Sequence, residues 1–213
     1  MEKIKKSVLE NILKDESSES KLKESFRIFL PTRSNILEKI AICIVVMIPS
    51  YWTSHSYSTV VLFGNICDIM LNVSIALFGI IFTGFIFFQA LLNDELLVML
   101  IITKTKKKGM GKTKLEEVNT NFVSLMMLYI VAVIIDLVLT VTVPGIPQDF
   151  MLIPNVNFCN ALSWFLIQLF YMFSAELIWR IVSFIHNIYQ LFNAYAVSRI
   201  VKLVEIEEED KKK

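Results

Sequence analysis

Apolar residues follow one another in four long runs along this chain, and polar or proline-containing stretches separate the runs. The runs occupy about 36–52, 66–92, 122–143 and 158–180. An uninterrupted apolar run of about 18 or more residues predicts a helix that spans a membrane. No stretch shows the apolar–polar alternation of a strand. The pattern therefore predicts an all-α fold, a multipass helical membrane protein with four transmembrane helices.

The overall composition agrees with a membrane protein. Hydrophobic residues make up 55% of the chain and charged residues 19%, and the mean hydropathy is +0.60. A soluble domain has about 45–50% apolar and about 25% charged residues. We therefore expect the lipid bilayer to surround most of the molecule.

The basic residues fall in three blocks, which predict how the helices are oriented. Nine of the 21 Lys and Arg lie in Lys3–Lys39, six in Lys104–Lys114 and six in Arg180–Lys213. Cytoplasmic segments of membrane proteins carry the excess of Lys and Arg. Each of the two basic-free intervals between the blocks therefore contains one outward excursion, and both termini are expected in the cytoplasm.

These boundaries divide the chain into three parts. Residues 1–34 form a cytoplasmic amphipathic segment, in which Ile4, Val8 and Ile12 recur at helical spacing among lysines. A basic helix with an apolar stripe suits a membrane surface or a partner helix, and ordinary packing on the rest of the protein remains the alternative. Residues 35–180 form the transmembrane domain, with a basic cytoplasmic loop at 103–121. Residues 181–213 form a cytoplasmic helix and a charged tail.

The second apolar run is longer than one membrane crossing requires. Val60 to Leu92 contains little that would break a helix, and at ~1.5 Å per residue it reaches about 50 Å against a ~30 Å hydrocarbon core. Either the helix tilts strongly, or its first turns stand outside the membrane.

Four polar residues inside the runs are candidate pore or packing positions: Asn65, Asp68, Asn72 and Asp136. Ionisable groups within membranes are costly and are functional hypotheses by default. The two carboxylates are expected at similar depth in the outer half of the membrane. They either share a proton, bind a cation or line a wet vestibule with the asparagines. Alternatively they are hydrated near the headgroups or paired with hydroxyls such as that of Ser74.

The stretch TKTKKKGMGKTK, residues 103–114, ends like a phosphate-binding loop. A true P-loop also needs a glycine five positions before Gly111, where this chain has Lys106, and a strand before the loop. Both requirements fail, so the stretch does not predict nucleotide hydrolysis, and a membrane enzyme ranks below the other hypotheses.

The lysines of this stretch are instead candidates for docking a lipid or a cytoplasmic partner: Lys104, Lys106, Lys107, Lys108, Lys112 and Lys114. Each basic residue beside a membrane attracts anionic headgroups by ~1 kcal/mol. An acidic or nucleic-acid-bearing partner would suit the same charges, and a role in topology alone is the third interpretation.

The helical pattern of the fourth run continues past its inner boundary. Glu176 and Arg180 stand four residues apart there, which predicts an ion pair on one helix face. Beyond them, apolar residues recur at alternating spacings of three and four: Ile181, Ile185, Ile188, Phe192 and Tyr195. This period is typical of a coiled-coil seam. We therefore expect one long helix that leaves the membrane and self-associates, giving a homo-oligomer.

Catalytic and metal-binding patterns are missing from the sequence. Its two histidines, His55 and His186, belong to opposite sides of the predicted topology, and no metal-ligand spacing or nucleophile elbow occurs. Cys67 and Cys159 could both lie toward the outer face, so their pairing stays open. We predict no catalytic residue, no metal and no cofactor.

A basic amphipathic N-terminus, four runs, the segment LFGIIFTGFIFFQALLNDELL (77–97) and a helical C-terminal extension together resemble small bacterial phage-defence membrane proteins. The layout is similar to that of the membrane subunit of the Kiwa anti-phage system. This resemblance implies an oligomer in the inner membrane that senses infection and works with a cytosolic, DNA-binding partner subunit.

The function predicted from the sequence is non-enzymatic. We expect an integral membrane sensor or anchor that oligomerises and recruits a cytoplasmic protein partner, in bacterial antiviral defence as the resemblance implies. An ion channel or membrane-depolarising effector is the alternative, and a small transporter-like protein is the second alternative. No small-molecule substrate is inferred.

Overall fold

The structure, a computed structural model, describes residues 22–23, 25–26, 35–92, 94–103, 113–147, 150 and 155–211. Within that part 92% of the residues are helical and none forms a strand, which confirms the predicted all-α class. Most of the amphipathic segment 1–34 lies outside the described residues. So do five of the predicted docking lysines: Lys104, Lys106, Lys107, Lys108 and Lys112.

The described helices follow one another in a simple order. They are α1 (Ile36–Ser54), α2 (Thr59–Leu91), α3 (Asp94–Ile102), α4 (Lys114–Thr142) and α5 (Val156–Lys211), and a short 3₁₀ turn, Val143–Gly145, follows α4. Four of them, α1, α2, α4 and α5, are long and apolar enough to cross a membrane. Each of the four extends beyond its predicted run at one end or both.

Helix α2 is a single helix of 33 residues with no break before residue 66. Its buried side repeats every seven residues, at Cys67, Ser74, Ile81 and Phe88. Residues seven apart lie two turns along one face of a helix. One stripe of α2 is therefore buried along the helix, while the opposite stripe is exposed.

Helix α4 begins at Lys114, about two turns before the predicted span. Thr113 and Glu116 form a capping box: the Glu116 carboxylate accepts from the Thr113 backbone N–H at 2.8 Å, and the Thr113 hydroxyl accepts from the Glu116 N–H at 3.2 Å. Such a pair satisfies two backbone donors that a helix start otherwise leaves exposed. The first residues after the lysine stretch are therefore helix rather than loop.

The chain divides into two compact units. The first comprises the described parts of Phe26–Ile80 and Met127–Phe184, and the second those of Met1–Ser25, Ile81–Met126 and Ile185–Lys213. In the second unit, the ring of Phe122 packs against Phe85 and Phe88, with both pairs of ring centroids 5.5 Å apart. Leu96 and Leu100 of α3 are buried in the same unit, so bulky apolar packing forms its interior.

The first unit contains α1 and portions of α2, α4 and α5. Its core includes Leu128, Ala132 and Ile167, and the rings of Phe63 and Phe170 meet edge to face at 5.2 Å. Gly64 lies beside the turn after α4, because a Cβ at this position would stand 3.6 Å from Pro144. This unit also holds polar contacts between its helices.

Candidate functional site: polar contacts in the first unit

Asp136 is enclosed within the first unit and bonded to Ser74. The Ser74 hydroxyl donates to Asp136 Oδ2 at 2.7 Å, and only 2% of Asp136 is exposed. A buried polar group without a partner costs free energy, whereas a bonded one does not. Pairing with the Ser74 hydroxyl, one of the alternatives drawn from the sequence, is therefore what the structure has.

Asn65, Asp68 and Asn72 lie on a different face, the exposed side of α2. The Asn72 amide donates to the backbone carbonyl of Asp68 at 2.9 Å, a bond within one helical turn. Because Ser74 occupies the buried side of the same helix, Asp68 and Asp136 do not meet. The four candidate polar residues therefore form two separate features rather than one vestibule within the chain.

A charged cluster joins α1 to α5. Lys39 Nζ lies 3.1 Å from Glu176 Oε1, and their side chains are only 9% and 5% exposed. Arg180 Nη2 contacts the same carboxylate oxygen, which confirms the ion pair predicted from the i,i+4 spacing. In the sequence, Lys39 stood out only as the last residue of a basic block, not as a site residue. The available signal was its position within the first turn of an apolar helix, where a lysine needs a partner.

Polar contacts continue along the α1–α5 interface. The Gln168 amide nitrogen donates to the Cys43 carbonyl at 3.2 Å, and its oxygen accepts from Ser50. The hydroxyls of Thr53 and Tyr171 are 3.1 Å apart. On α1, residues 39, 43, 50 and 53 share one face at alternating helical spacing. Because residues on that face pair with side chains of α5, hydrogen bonds contribute to the attachment of α1 to α5.

Tyr129 adds a contact between α4 and α5. Its hydroxyl donates to the backbone carbonyl of Leu177 at 2.8 Å, and the residue is 1% exposed. An aromatic ring in a core usually brings its hydroxyl to such an acceptor. The polar groups inside the unit thus act as structural links between helices.

Lys114, the one docking lysine within the described residues, pairs locally. Its Nζ lies 2.8 Å from Glu117 Oε2, and the side chains are 40% and 20% exposed. Thr113, which sequence inspection places in a phosphate-loop-like motif, caps α4 instead. Both contacts are ordinary features of a helix start.

The residues of the predicted coiled-coil seam of α5 differ in their burial. Ile181 is buried in the first unit, whereas Ile185 is exposed. Within the second unit Ile188 and Phe192 line a small groove with Phe87 of α2, and the rings of Phe87 and Phe192 stack at 6.0 Å. Tyr195 is half-buried. Part of the stripe therefore packs inside the same chain.

The described part of the chain contains no group of side chains arranged to bind a metal, and its cysteines form no disulfide. No three His, Cys, Asp or Glu side chains there converge as metal ligands. Cys43, Cys67 and Cys159 are free thiols, so Cys67 and Cys159 are not paired in this structure.

Together, the helices and their contacts define an all-helical protein with four helices able to cross a membrane. No model of a known protein family matches the chain, and no curated protein or solved structure is similar to it.

Proposed function

We propose that this protein is a non-enzymatic, multipass anchor or sensor of the cell inner membrane, which oligomerises and recruits a cytoplasmic protein partner. The observation that carries this proposal is the length of α5, 56 residues in one helix. At ~1.5 Å per residue such a helix is about 84 Å long, whereas about 20 residues cross a bilayer. Much of α5 therefore remains available outside the membrane.

The distribution of charge supports the orientation with both termini in the cytoplasm. Lys39 lies in the first turn of α1, Lys114 begins α4, and Arg180 is the first basic residue of α5. Each belongs to one of the three basic blocks that separate the two outward excursions, in agreement with the excess of Lys and Arg in cytoplasmic segments.

The C-terminal part of α5 is the surface on which we expect the partner. Val197, Ile200, Leu203 and Val204 are large apolar residues and are exposed. An exposed apolar stripe on a helix suits insertion into a groove of another protein. Following the resemblance to the Kiwa membrane subunit, we propose a cytosolic DNA-binding protein as this partner, and antiviral defence as its setting.

Site-specific crosslinking tests the proposal. A photoreactive amino acid replaces Ile200 or Leu203 in the full chain, which is expressed together with the product of the neighbouring gene. Val141, which is also exposed but lies near the end of α4, is the matched control because it is expected to face lipid. We expect protein adducts from positions 200 and 203 and lipid adducts from 141. Lipid adducts from all three positions would contradict the proposal, because α5 would then lie in the bilayer.

A further inference from the structure

The exposed side of α2 carries a polar stripe that the contacts within the chain leave uncovered. Asn65, Asp68 and Asn72 recur at spacings of three and four, opposite the buried stripe of Cys67 and Ser74. Further along the same side stand Ala76 and Gly79, both exposed. A Cβ at Gly79 would meet no atom within 4 Å apart from the neighbouring residues and backbone of its own helix. Isoleucines border the stripe, with Ile69, Ile75 and Ile80 exposed beside it.

The depth of this stripe follows from the turn before α2. Trp52 and Tyr57, near the end of α1 and in the turn, are highly exposed, and such aromatic residues favour the headgroup region. Asn72 lies about 20 Å along the helix axis from Thr59, at ~1.5 Å per residue. In the membrane orientation proposed above, Asp68 and Asn72 are therefore within the hydrocarbon region.

Lipid acyl chains cannot satisfy the hydrogen-bonding groups of these side chains. Acyl chains offer neither donors nor acceptors, so a carboxyl and two amides facing them lose the hydrogen bonds that water would supply. The stripe itself contains both hydrogen-bond donors and acceptors, because asparagine amides donate and the Asp68 carboxyl accepts. Small residues beside polar ones also let two membrane helices approach closely.

We propose that the polar stripe of α2, formed by Asn65, Asp68 and Asn72 and continued by Ala76 and Gly79, packs against the same stripe of a second copy of this chain. Amides of one copy then donate to the carboxyl of the other. Such an isologous contact uses one self-complementary surface twice. The proposal rests on the membrane location given above, and it assigns self-association to α2 rather than to α5.

Disulfide crosslinking in liposomes tests the contact directly. Asn72→Cys and Ala76→Cys are introduced into the full chain, and Val45→Cys, on an exposed apolar face of α1, is the matched control. After mild oxidation we expect linked dimers from positions 72 and 76 at yields well above those of position 45 and of the parent chain. Equal yields at the three positions would overturn the proposal.

The strength of association gives a second, quantitative readout. Energy transfer between labelled copies is followed while the lipid-to-protein ratio increases. Asn72→Leu should weaken association about threefold to thirtyfold, because interhelical hydrogen bonds in membranes contribute ~0.6–2 kcal/mol. Gly79→Leu should weaken it further through a steric clash. Association that both substitutions leave unchanged or strengthen would show that lipid covers the stripe.

Two controls distinguish the rival outcomes. If Asn72→Cys reacts with a membrane-impermeant maleimide as fast as Ser58→Cys in the exposed turn, water covers the stripe and the proposal fails. Flotation with liposomes reports the membrane location separately. A protein that floats but does not associate through α2 overturns only this inference, whereas a protein that does not float overturns the anchor as well.

Discussion

The hydroxyl of Ser74 donates to the carboxyl of Asp136 at 2.7 Å, across 62 positions of the chain. This bond joins α2 to α4 and satisfies the one acidic side chain that the first unit encloses between these two helices. Asp68, on the same helix as Ser74, faces the opposite way. The buried Asp136 carboxyl therefore has a structural role. The exposed Asp68 carboxyl is available for contact with another molecule.

Removing the donor should cost more than neutralising the acceptor. Ser74→Ala leaves the buried Asp136 carboxyl without its hydrogen bond, which we expect to lower the free energy of unfolding by about 1–3 kcal/mol. Asp136→Asn keeps an acceptor for Ser74 and should change stability less. Thermal unfolding in detergent measures both, with the exposed Ser58→Ala as control. A smaller loss for Ser74→Ala than for Asp136→Asn would contradict the role given to this bond.

The Lys39–Glu176 contact should behave as a buried ion pair. Glu176→Gln leaves the ammonium group of Lys39, which is 9% exposed, without its carboxylate, and we expect a loss of about 3–5 kcal/mol. Replacing both residues by methionine should recover part of that loss, because the buried ammonium group is removed. The Arg180 guanidinium, whose side chain is 20% exposed, loses the same carboxylate in both variants. A double-mutant cycle in chemical unfolding measures the coupling.

The Lys114–Glu117 pair provides the matched control for this cycle. It has a shorter distance, 2.8 Å, but more exposed side chains, and exposed pairs contribute only about 0–1 kcal/mol. Similar coupling energies for the two pairs would mean that burial does not set the strength of the Lys39–Glu176 contact.

Two glycines of α2 should respond differently to the same substitution. Gly64→Leu places a large side chain where Pro144 and Val143 stand within 4 Å of the Cβ position, and overpacking of this kind costs about 1–3 kcal/mol. Gly79→Leu meets open space, so the single chain should remain as stable as the parent. Thermal unfolding in dilute detergent checks the difference, and equal losses would count against the α2–α4 packing described here.

The capping box predicts a local effect at the start of α4. Thr113→Ala removes the hydroxyl that accepts from Glu116, and loss of such a cap costs about 0.5–2 kcal/mol of helix stability. Thr113→Ser should retain the cap. Hydrogen exchange of the first amides of α4 should accelerate only in the alanine variant, and no change in either variant would argue against the cap.

The same two variants separate capping from nucleotide binding. ATP with Mg²⁺ should shift the melting temperature of neither variant nor of the parent chain. A nucleotide-dependent shift in the parent that Thr113→Ala abolishes would restore the phosphate-loop interpretation.

The helical class and the four long apolar helices could be predicted from the sequence, because burial in lipid requires runs of apolar residues and a helix satisfies its own backbone. The Glu176–Arg180 pair was also predictable, since its partners lie one turn apart. The start of α4 was missed, although Thr113 and Glu116 stand at capping-box spacing. The same Thr113 also ends the Gly111-Lys112-Thr113 sequence, which resembles a phosphate-binding loop.

Contacts between distant helices required the tertiary structure. A run of apolar residues does not indicate which of its faces will be buried, because in a membrane both faces are apolar. Only the packing of α2 against α4 sets Ser74 inward and Asp68 outward, and only the approach of α1 to α5 brings Lys39 to Glu176. The amino-acid sequence by itself determined which segments are helices, and the tertiary structure decided which polar groups those helices satisfy internally.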